Sequence, residues 1–294
     1  MRPSKLRRIL AALALALLPA VATPADDGLH VFWEVAGQHN TVYLLGSVHV
    51  LQANDLALPP VTEAAYADAE VLVEELDPFV MSGDLFSAEV RALQFLPPDQ
   101  KLSALIGPGL NGKVADAARS LDLDPAYVDG LQPWYAATLI STMRQVKAGF
   151  TSGDGVDYQI ALRARRDAKP IVALETVAEQ LGFFAALSMQ EQRDFLEDAL
   201  DETGDQTQLR ELMEAWRHGD LATLEAQLEQ GRGELPELFD RIVTQRNRNW
   251  LPRIEQMLQG PRQDYLVVTG ALHMVGPQGL VALLRARGYR VTRR

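Results

Sequence analysis

The feature that most constrains this chain is a pair of short apolar runs, each followed closely by a Gly-x-x-His motif. The later run spans 265–269 and leads to His273, and the earlier run spans 41–45 and leads to His49. Apolar residues on both faces of a short run are typical of an inner strand in a parallel sheet with helices on both sides. Both runs therefore predict strands that present a histidine just past their ends, and the alternative is two ordinary histidines at sheet edges.

The rest of the chain alternates strand and helix signals. The turn-forming residues 36–40 predict an N-terminal β-hairpin with the 41–45 strand, and a helix that starts at Pro59 and Pro60 leads to a parallel strand. The other expected strands are short, and two long segments are helical in pattern. We therefore predict an α/β fold in which a small, mostly parallel central sheet is flanked by helices and carries a large helical insertion. The strand segments are 29–35, 41–45, 71–76, 171–174, 265–269 and 289–292, and the helical segments are 85–150 and 177–260.

The first residues have the pattern of a secretory leader. A basic start precedes an apolar run at 9–18, and small residues offer cleavage after Ala22 or Ala25. We therefore expect residues 1–25 to be a signal peptide and 26–294 to be a single exported domain, periplasmic or secreted. The chain contains no Cys, which excludes disulfides and a lipoprotein anchor, and no later segment approaches the length of a membrane span.

The charge of the chain limits its partners. The formal net charge is −11, and loss of a basic leader would make it more negative. An acidic surface repels phosphate backbones, so we expect no nucleic-acid partner. A peptide or small-molecule substrate remains open, as does the oligomeric state.

Polar side chains follow the predicted parallel strands, and together they suggest a metal site. Glu74 and Glu75 end the 71–76 strand region, Glu175 follows the 171–174 strand, and His49 and His273 follow the two motif strands. Because the carboxyl ends of parallel strands share one edge of a sheet, these groups are expected to converge there. Imidazole and carboxylate ligands suit Mn²⁺, Co²⁺ and Zn²⁺ alike. The alternative for each glutamate is a strand-end charge that faces water.

Three further residues lie in positions that could support such a site. Arg246 is on the helix before the last buried strand and could bind a carbonyl or carboxylate at the site edge, although surface solvation would also explain it. Asp154 and Asp157 start a helix, where a cap or a dipole partner is the default interpretation. The sequence has no Gly-x-Ser-x-Gly elbow, phosphate loop or His-Glu-x-x-His helix, and no thiol nucleophile.

These residues resemble the TraB/GumN family, which is related to the Tiki metalloproteases and more loosely to haem-binding and erythromycin-esterase-type proteins. The resemblance covers nearly the whole chain after the leader, and the spaced Gly-x-x-His pair with an intervening Glu is its specific part. The matching segments are 45–49 (Leu-Gly-Ser-Val-His), 73–77 (Val-Glu-Glu-Leu-Asp), 133–134, 155–157, 169–176, 246–247 and 269–273 (Thr-Gly-Ala-Leu-His).

The resemblance implies a metal-dependent hydrolase, most plausibly a peptidase, in which His49, His273 and Glu75 bind a divalent metal. Glu75, Glu175 and Arg246 are then the expected catalytic groups. Strand alternation should aim Glu74 away from the site, so that Glu74→Gln is expected to be silent and Glu75→Gln to cost activity without costing stability. The alternative is a non-catalytic periplasmic protein that binds haem, metal or a peptide in the same cleft.

Overall fold

The structure is a computed structural model that describes residues 29–53, 58–201 and 205–294. The predicted signal peptide at 1–25 lies outside the described residues. In the part of the chain that is described, no helix combines the length and apolar character that a membrane crossing requires.

A six-stranded sheet forms the centre of the molecule. Its order is β6-β4-β7-β2-β1-β8, with a separate two-stranded pair made by β3 and β5. Strands β2, β7, β4 and β6 are parallel, while β1 runs antiparallel to both β2 and β8. The strands are β1 Phe32–Ala36, β2 Thr41–Ser47, β3 Leu51–Gln52, β4 Val71–Glu74, β5 Phe150–Thr151, β6 Ile171–Ala173, β7 Tyr265–Gly270 and β8 Val291–Arg293.

Strand β7 lies at the centre because its side chains can be buried on both faces. Every residue of β7 after Tyr265 is buried, and every residue of β4 is buried. In register, Ser47 lies beside Gly270 and Glu74 lies beside both Val268 and Ala173, so the parallel strands end at one edge. Strand β7 lies between β2 and β4. The residues that follow β2 and those that follow β4 therefore approach the end of β7 from opposite sides.

Helices cover the sheet and continue into an insertion with a core of its own. Residues of the sheet and its flanking helices form one hydrophobic cluster, and helices between 102 and 140 join α10 in a second. The helices are α1 Pro60–Asp68, α2 Pro78–Asp84, α3 Ala88–Gln94, α4 Leu102–Ile106, α5 Pro108–Ser120, α6 Pro125–Val128, α7 Pro133–Lys147, α8 Val156–Arg166, α9 Val177–Ala185, α10 Met189–Ala199, α11 Asp205–Arg217, α12 Leu221–Glu234, α13 Pro236–Phe239, α14 Arg246–Gln259 and α15 Leu280–Ala286.

A π-helical stretch, Asp240–Gln245, joins α13 to α14 without a break in helical backbone. In a π-helix each hydrogen-bonded turn contains one more residue than in an α-helix, and such stretches are frequent at functional sites. This one ends immediately before Arg246.

The predicted fold class is confirmed. The sheet is mostly parallel, the N-terminal hairpin β1–β2 closes with the Gly37 amide donating to the Asn40 carbonyl at 2.9 Å, and the helical insertion is present. Each predicted strand differs from the observed one at a boundary, and the difference is largest at β1, which covers Phe32–Ala36 rather than 29–35. Strand β8 covers Val291–Arg293 rather than 289–292.

Candidate functional site

The sheet edge where the parallel strands end gathers all five side chains that the sequence singled out. His49 lies two residues past β2, Glu75 one past β4, Glu175 two past β6, and His273 in a 3₁₀ turn (Ala271–His273) directly after β7. Arg246 reaches the same edge from the start of α14. The predicted convergence is therefore present, although the chemical role of each residue remains a prediction.

Arg246 occupies the centre of this group. Its side chain is 8% exposed, and it donates through Nη2 to Glu75 Oε2, and through Nε to Glu175 Oε1 at 2.9 Å. Burial by itself lowers the pKa of an arginine, but the two carboxylates outweigh burial and raise it. Arg246 is thus a fixed cation that ties together the residues following two neighbouring strands.

Glu175 holds Arg246 and has no oxygen left over. Its Oε1 accepts from Arg246, its Oε2 accepts from the Trp250 indole nitrogen at 3.0 Å, and the residue is 6% exposed. Trp250 also places its ring 4.6 Å from the Arg246 guanidinium carbon. The structure therefore gives Glu175 a positioning role, because both of its oxygens serve the residues around Arg246.

His273 is a buried imidazole whose tautomer is fixed by Asn247. The Asn247 amide nitrogen donates to the carbonyls of His273 and Gln278, at 3.2 and 2.8 Å, so its oxygen faces His273 Nδ1 at 2.7 Å and accepts from it. Nε2 is left as an acceptor, 3.3 Å from Arg246 Nη1. Burial, and Arg246 beside it, lower the pKa of His273 to about 3.

His49 has the opposite environment. Its side chain is 54% exposed and its Nδ1 lies 2.8 Å from Asp157 Oδ2. Partial enclosure by the protein lowers the pKa of the imidazole, but the Asp157 and Glu75 carboxylates outweigh that effect and raise it to about 9. The pairing depends on close docking of the loop before α8, where the Val156 amide donates to the Val48 carbonyl at 3.0 Å.

The second oxygen of Glu75 lies between the two histidines. Glu75 Oε1 accepts from the Gly270 amide at 2.7 Å and lies 3.8 Å from His49 Nε2 and 3.9 Å from His273 Nε2. Burial by itself would raise the pKa of the Glu75 carboxyl, but Arg246, His49 and the Gly270 amide hold it below its usual range.

Glycine at position 270 lets these three side chains approach the end of β7 closely. A methyl group on its Cα would lie 3.0 Å from His49 Nε2, 3.5 Å from Glu75 Oε1 and 3.6 Å from His273 Cδ2. The contact with the His49 ring would be tighter than an ordinary van der Waals contact. The backbone of Gly270, with φ of −50°, does not itself require glycine.

A cleft of about 450 Å³ opens beside this group and contains Glu74 in its wall. Glu74 is 3% exposed, and burial together with the Asp157, Glu75 and Asp77 carboxylates raises its pKa well above the usual range. Glu74 was expected to point away from the site, and the alternative for each strand-end glutamate was a charge that faces water. Both Glu74 and Glu75 are instead buried, and both line the same cleft.

The residues fit a divalent metal by donor type. His49 and His273 each have Nδ1 tied to a polar partner, an arrangement that leaves Nε2 to bind a metal, and Glu75 Oε1 lies within 4 Å of both Nε2 atoms. Ligands of one such ion, at about 2.0–2.2 Å from it, are separated by no more than about 4.4 Å. Among the described residues no group of three side chains is already arranged to hold a metal, and binding through His273 requires its contact with Arg246 to break.

Sequence reasoning missed two partners at this site. Asp157 was expected to cap a helix start or to interact with its dipole; α8 has no side-chain cap bond, but Asp157 lies in the first turn of α8 and in addition orients His49. Asn247 was matched only as part of the family resemblance, and the structure shows that it fixes the His273 tautomer. Glu75 also differs from expectation, because Glu75→Gln would remove a charge partner of buried Arg246 and so cost stability.

Comparisons with known proteins give a family match and two related sequences. The family model described as the TraB/PrgY/gumN family matches residues 31–293. An uncharacterized protein, YbaP, of Escherichia coli (strain K12) is 25% identical over 248 residues, which cover 83% of this chain and 87% of that protein. YbaP of Shigella flexneri is similar to the same degree. No solved structure matches the chain at a significant level.

The two histidines are expected to titrate far apart. In the metal-free protein, NMR should show His273 as the neutral Nδ1–H tautomer down to about pH 3 and His49 as protonated until about pH 9. Since the folded pKa of His49 lies above its ordinary 6.5, its pairing with Asp157 stabilises the fold fully below pH 6.5, and this stabilisation is lost as the pH rises through about 9. Titration of His273 near pH 6.5 would contradict the assigned environment.

Glu74→Gln is expected to stabilise the protein at neutral pH. The folded-state pKa of Glu74 is raised, so its contribution to stability is present at low pH and lost as the pH rises. The melting temperature of the variant should exceed that of the wild type by on the order of a few degrees at pH 7, and the two should agree near pH 4. Glu197→Gln, at an exposed position on α10, is the control and should change nothing at either pH. A destabilised Glu74→Gln variant at pH 7 would show that Glu74 has a partner.

Proposed function

The chain belongs to the TraB/PrgY/gumN family, and from that premise we propose that it is an exported metal-dependent hydrolase that acts on peptides. The observation that carries the proposal is that His49 Nε2 and His273 Nε2 approach one oxygen of Glu75, at 3.8 and 3.9 Å, at the edge of a cleft lined by His49 and Glu75. Two imidazoles and a carboxylate grouped in this way suit a divalent metal that activates water.

His49 is the proposed metal ligand on the solvent side of the site. Asp157 orients its ring through Nδ1, so that Nε2 faces Glu75 Oε1 and is left to bind the ion. Only the neutral imidazole can bind a metal, so binding must displace the proton that the Asp157 and Glu75 carboxylates favour. The exposed edge of the ring lets that proton leave to solvent.

Glu75 and His273 hold the reacting atoms from the buried side. Glu75 stays ionised because Arg246 binds its other oxygen, and His273 stays neutral because it is buried against Arg246. His49, His273 and Glu75 are the residues that would hold a divalent metal, and a bound metal would lower the pKa of its water and polarise the substrate carbonyl. Arg246 and Glu175 keep Glu75 in place from behind.

The alternative proposal is a non-catalytic binding protein. The residues that line the cleft do not favour haem as its ligand. The cleft is lined by Glu74, Glu75 and Asp157, and carboxyl groups repel the propionates of a haem. A haem titration nevertheless tests the alternative directly, since a Soret shift abolished by His49→Ala would favour it over hydrolysis.

Hydrolysis is expected to require both motif histidines. Peptide-library digestion by the purified protein, supplied in turn with Mn²⁺, Co²⁺ and Zn²⁺, should fall on the order of a hundred-fold or more in His49→Ala and in His273→Ala. Bound metal, measured by elemental analysis, should fall in step. His39→Ala, at an exposed hairpin position, is the matched control and should retain activity. Unchanged hydrolysis in both site variants would refute the proposal.

Gly270→Ala is expected to remove activity without unfolding the protein. The added methyl group would lie 3.0 Å from His49 Nε2 and 3.5 Å from Glu75 Oε1, so the imidazole must shift, whereas the backbone angles at 270 suit alanine. Displacement of the site groups by a fraction of an ångström should lower turnover on the order of ten- to a hundred-fold, with the melting temperature near that of the wild type. Gly182→Ala on α9, where a methyl group meets no atom within 4 Å, is the control and should stay fully active. A fully active Gly270→Ala enzyme would show that activity does not depend on this close approach.

A further inference from the structure

One carboxyl group in the wall of the cleft has no partner. Glu74 Oε1 is buried and accepts no hydrogen bond in the part of the chain that the structure describes. The residue is 3% exposed, yet it lines the cleft together with His49, Glu75 and Asp157. A buried acceptor of this kind costs free energy unless something outside the chain satisfies it.

The other charged groups of the cleft are paired with each other. Glu75 is bound by Arg246 and Asp157 by His49. No lysine or arginine is among the described residues that line the cleft. Glu74 is therefore the carboxyl group of the cleft that has no paired cation among the described residues.

Part of the cleft wall is apolar. Leu76, Pro78 and Met81 line it together with Tyr158, and the first three follow from the end of β4 into α2. Asp77 caps α2 by accepting from the Phe79 amide at 2.9 Å, which fixes where Pro78 and Met81 lie. An occupant of the cleft thus meets both an acidic group and apolar side chains.

We propose that the cleft recognises a primary ammonium group joined to an apolar chain, with the ammonium bound by Glu74 and the chain packed along Leu76, Pro78 and Met81. An ammonium supplies three donors and the positive charge that this side of the cleft lacks. The volume of about 450 Å³ suits a group the size of one or two amino-acid residues.

This inference rests on the proposed function in one respect, namely that the bound ammonium group belongs to a peptide substrate. A peptide can offer such a group from two sources, namely its N-terminal α-ammonium beside an apolar side chain, or the side chain of a lysine. Both sources present the same chemistry to Glu74, and they differ in the length of carbon chain that separates the ammonium from the peptide bond.

The experiment measures binding alone, by calorimetry or ligand-observed NMR on the EDTA-treated protein at near-neutral pH. L-leucinamide represents the N-terminal source and n-hexylammonium the lysine source, while N-acetyl-L-leucinamide and 1-hexanol are their uncharged counterparts. Each ammonium compound should bind the wild type on the order of ten-fold more tightly than its neutral counterpart. Glu74→Gln should abolish that preference, and Glu197→Gln should preserve it.

The outcomes separate this inference from the hydrolase proposal. Tighter binding of leucinamide identifies the N-terminal source, tighter binding of hexylammonium identifies the lysine source, and either supports the inference. Equal binding of charged and neutral compounds by the wild type overturns it, as does a Glu74→Gln variant that keeps the preference while melting as a folded protein. The experiment measures no turnover. The ammonium site can therefore be supported even if the protein proves not to be a hydrolase, and the hydrolase proposal can hold even if the protein shows no preference for ammonium compounds.

Discussion

The ion cluster around Arg246 connects the sheet edge to the helix that precedes the last strand. Arg246 contacts Glu75 after β4, Glu175 after β6 and His273 after β7, so a single guanidinium holds three neighbouring strand ends. Taking such a charge out of water costs several kcal/mol, and the two carboxylates offset that cost only while both stay in place. Removal of one partner from a buried pair typically costs about 3–5 kcal/mol. The geometry of the site and the stability of the fold are therefore linked through this cluster.

The same cluster explains why two histidines in the same sequence motif differ in charge. His273 is enclosed by Arg246 and Trp250, whose ring centroid lies 4.6 Å from that of the imidazole, and it remains neutral. His49 lies on the solvent side of Glu75 with Asp157 behind it, and it favours the proton. Titratable groups whose environments push their pKa values apart are suited to opposite roles in proton transfer. The motif supplies two imidazoles, and the surroundings distinguish them.

The sequence predicted the α/β class and the convergence of His49, His273, Glu75, Glu175 and Arg246, because strand periodicity and strand ends are local properties. It did not predict that β7 separates β2 from β4, since pairing between distant segments leaves no local pattern. The role of Asp157 was missed for the same reason: His49 and Asp157 are 108 positions apart and meet only because the loop before α8 docks on the end of β2.

The burial of Glu74 illustrates a different limit of sequence reasoning. Alternation along β4 predicts that Glu74 and Glu75 point in opposite directions, but a strand-end position does not reveal what covers each face. Residues of α2 and of the start of α8 line the same cleft as Glu74, so that Glu74 is buried in the cleft wall. Burial of a polar residue at the end of a strand depends on which helices return to that edge.

The π-helical stretch Asp240–Gln245 sets the angular position of everything that follows it on α14. Each residue of an α-helix advances by about 100°, so the loss or gain of a single residue in this stretch would turn the guanidinium of Arg246 and the amide of Asn247 away from the sheet together. Trp250, four residues after Arg246, would turn with them. Length variation among related chains should therefore be tolerated in the loops around the insertion. It should not be tolerated between 240 and 250, because one residue more or less there would rotate these side chains away from the sheet edge.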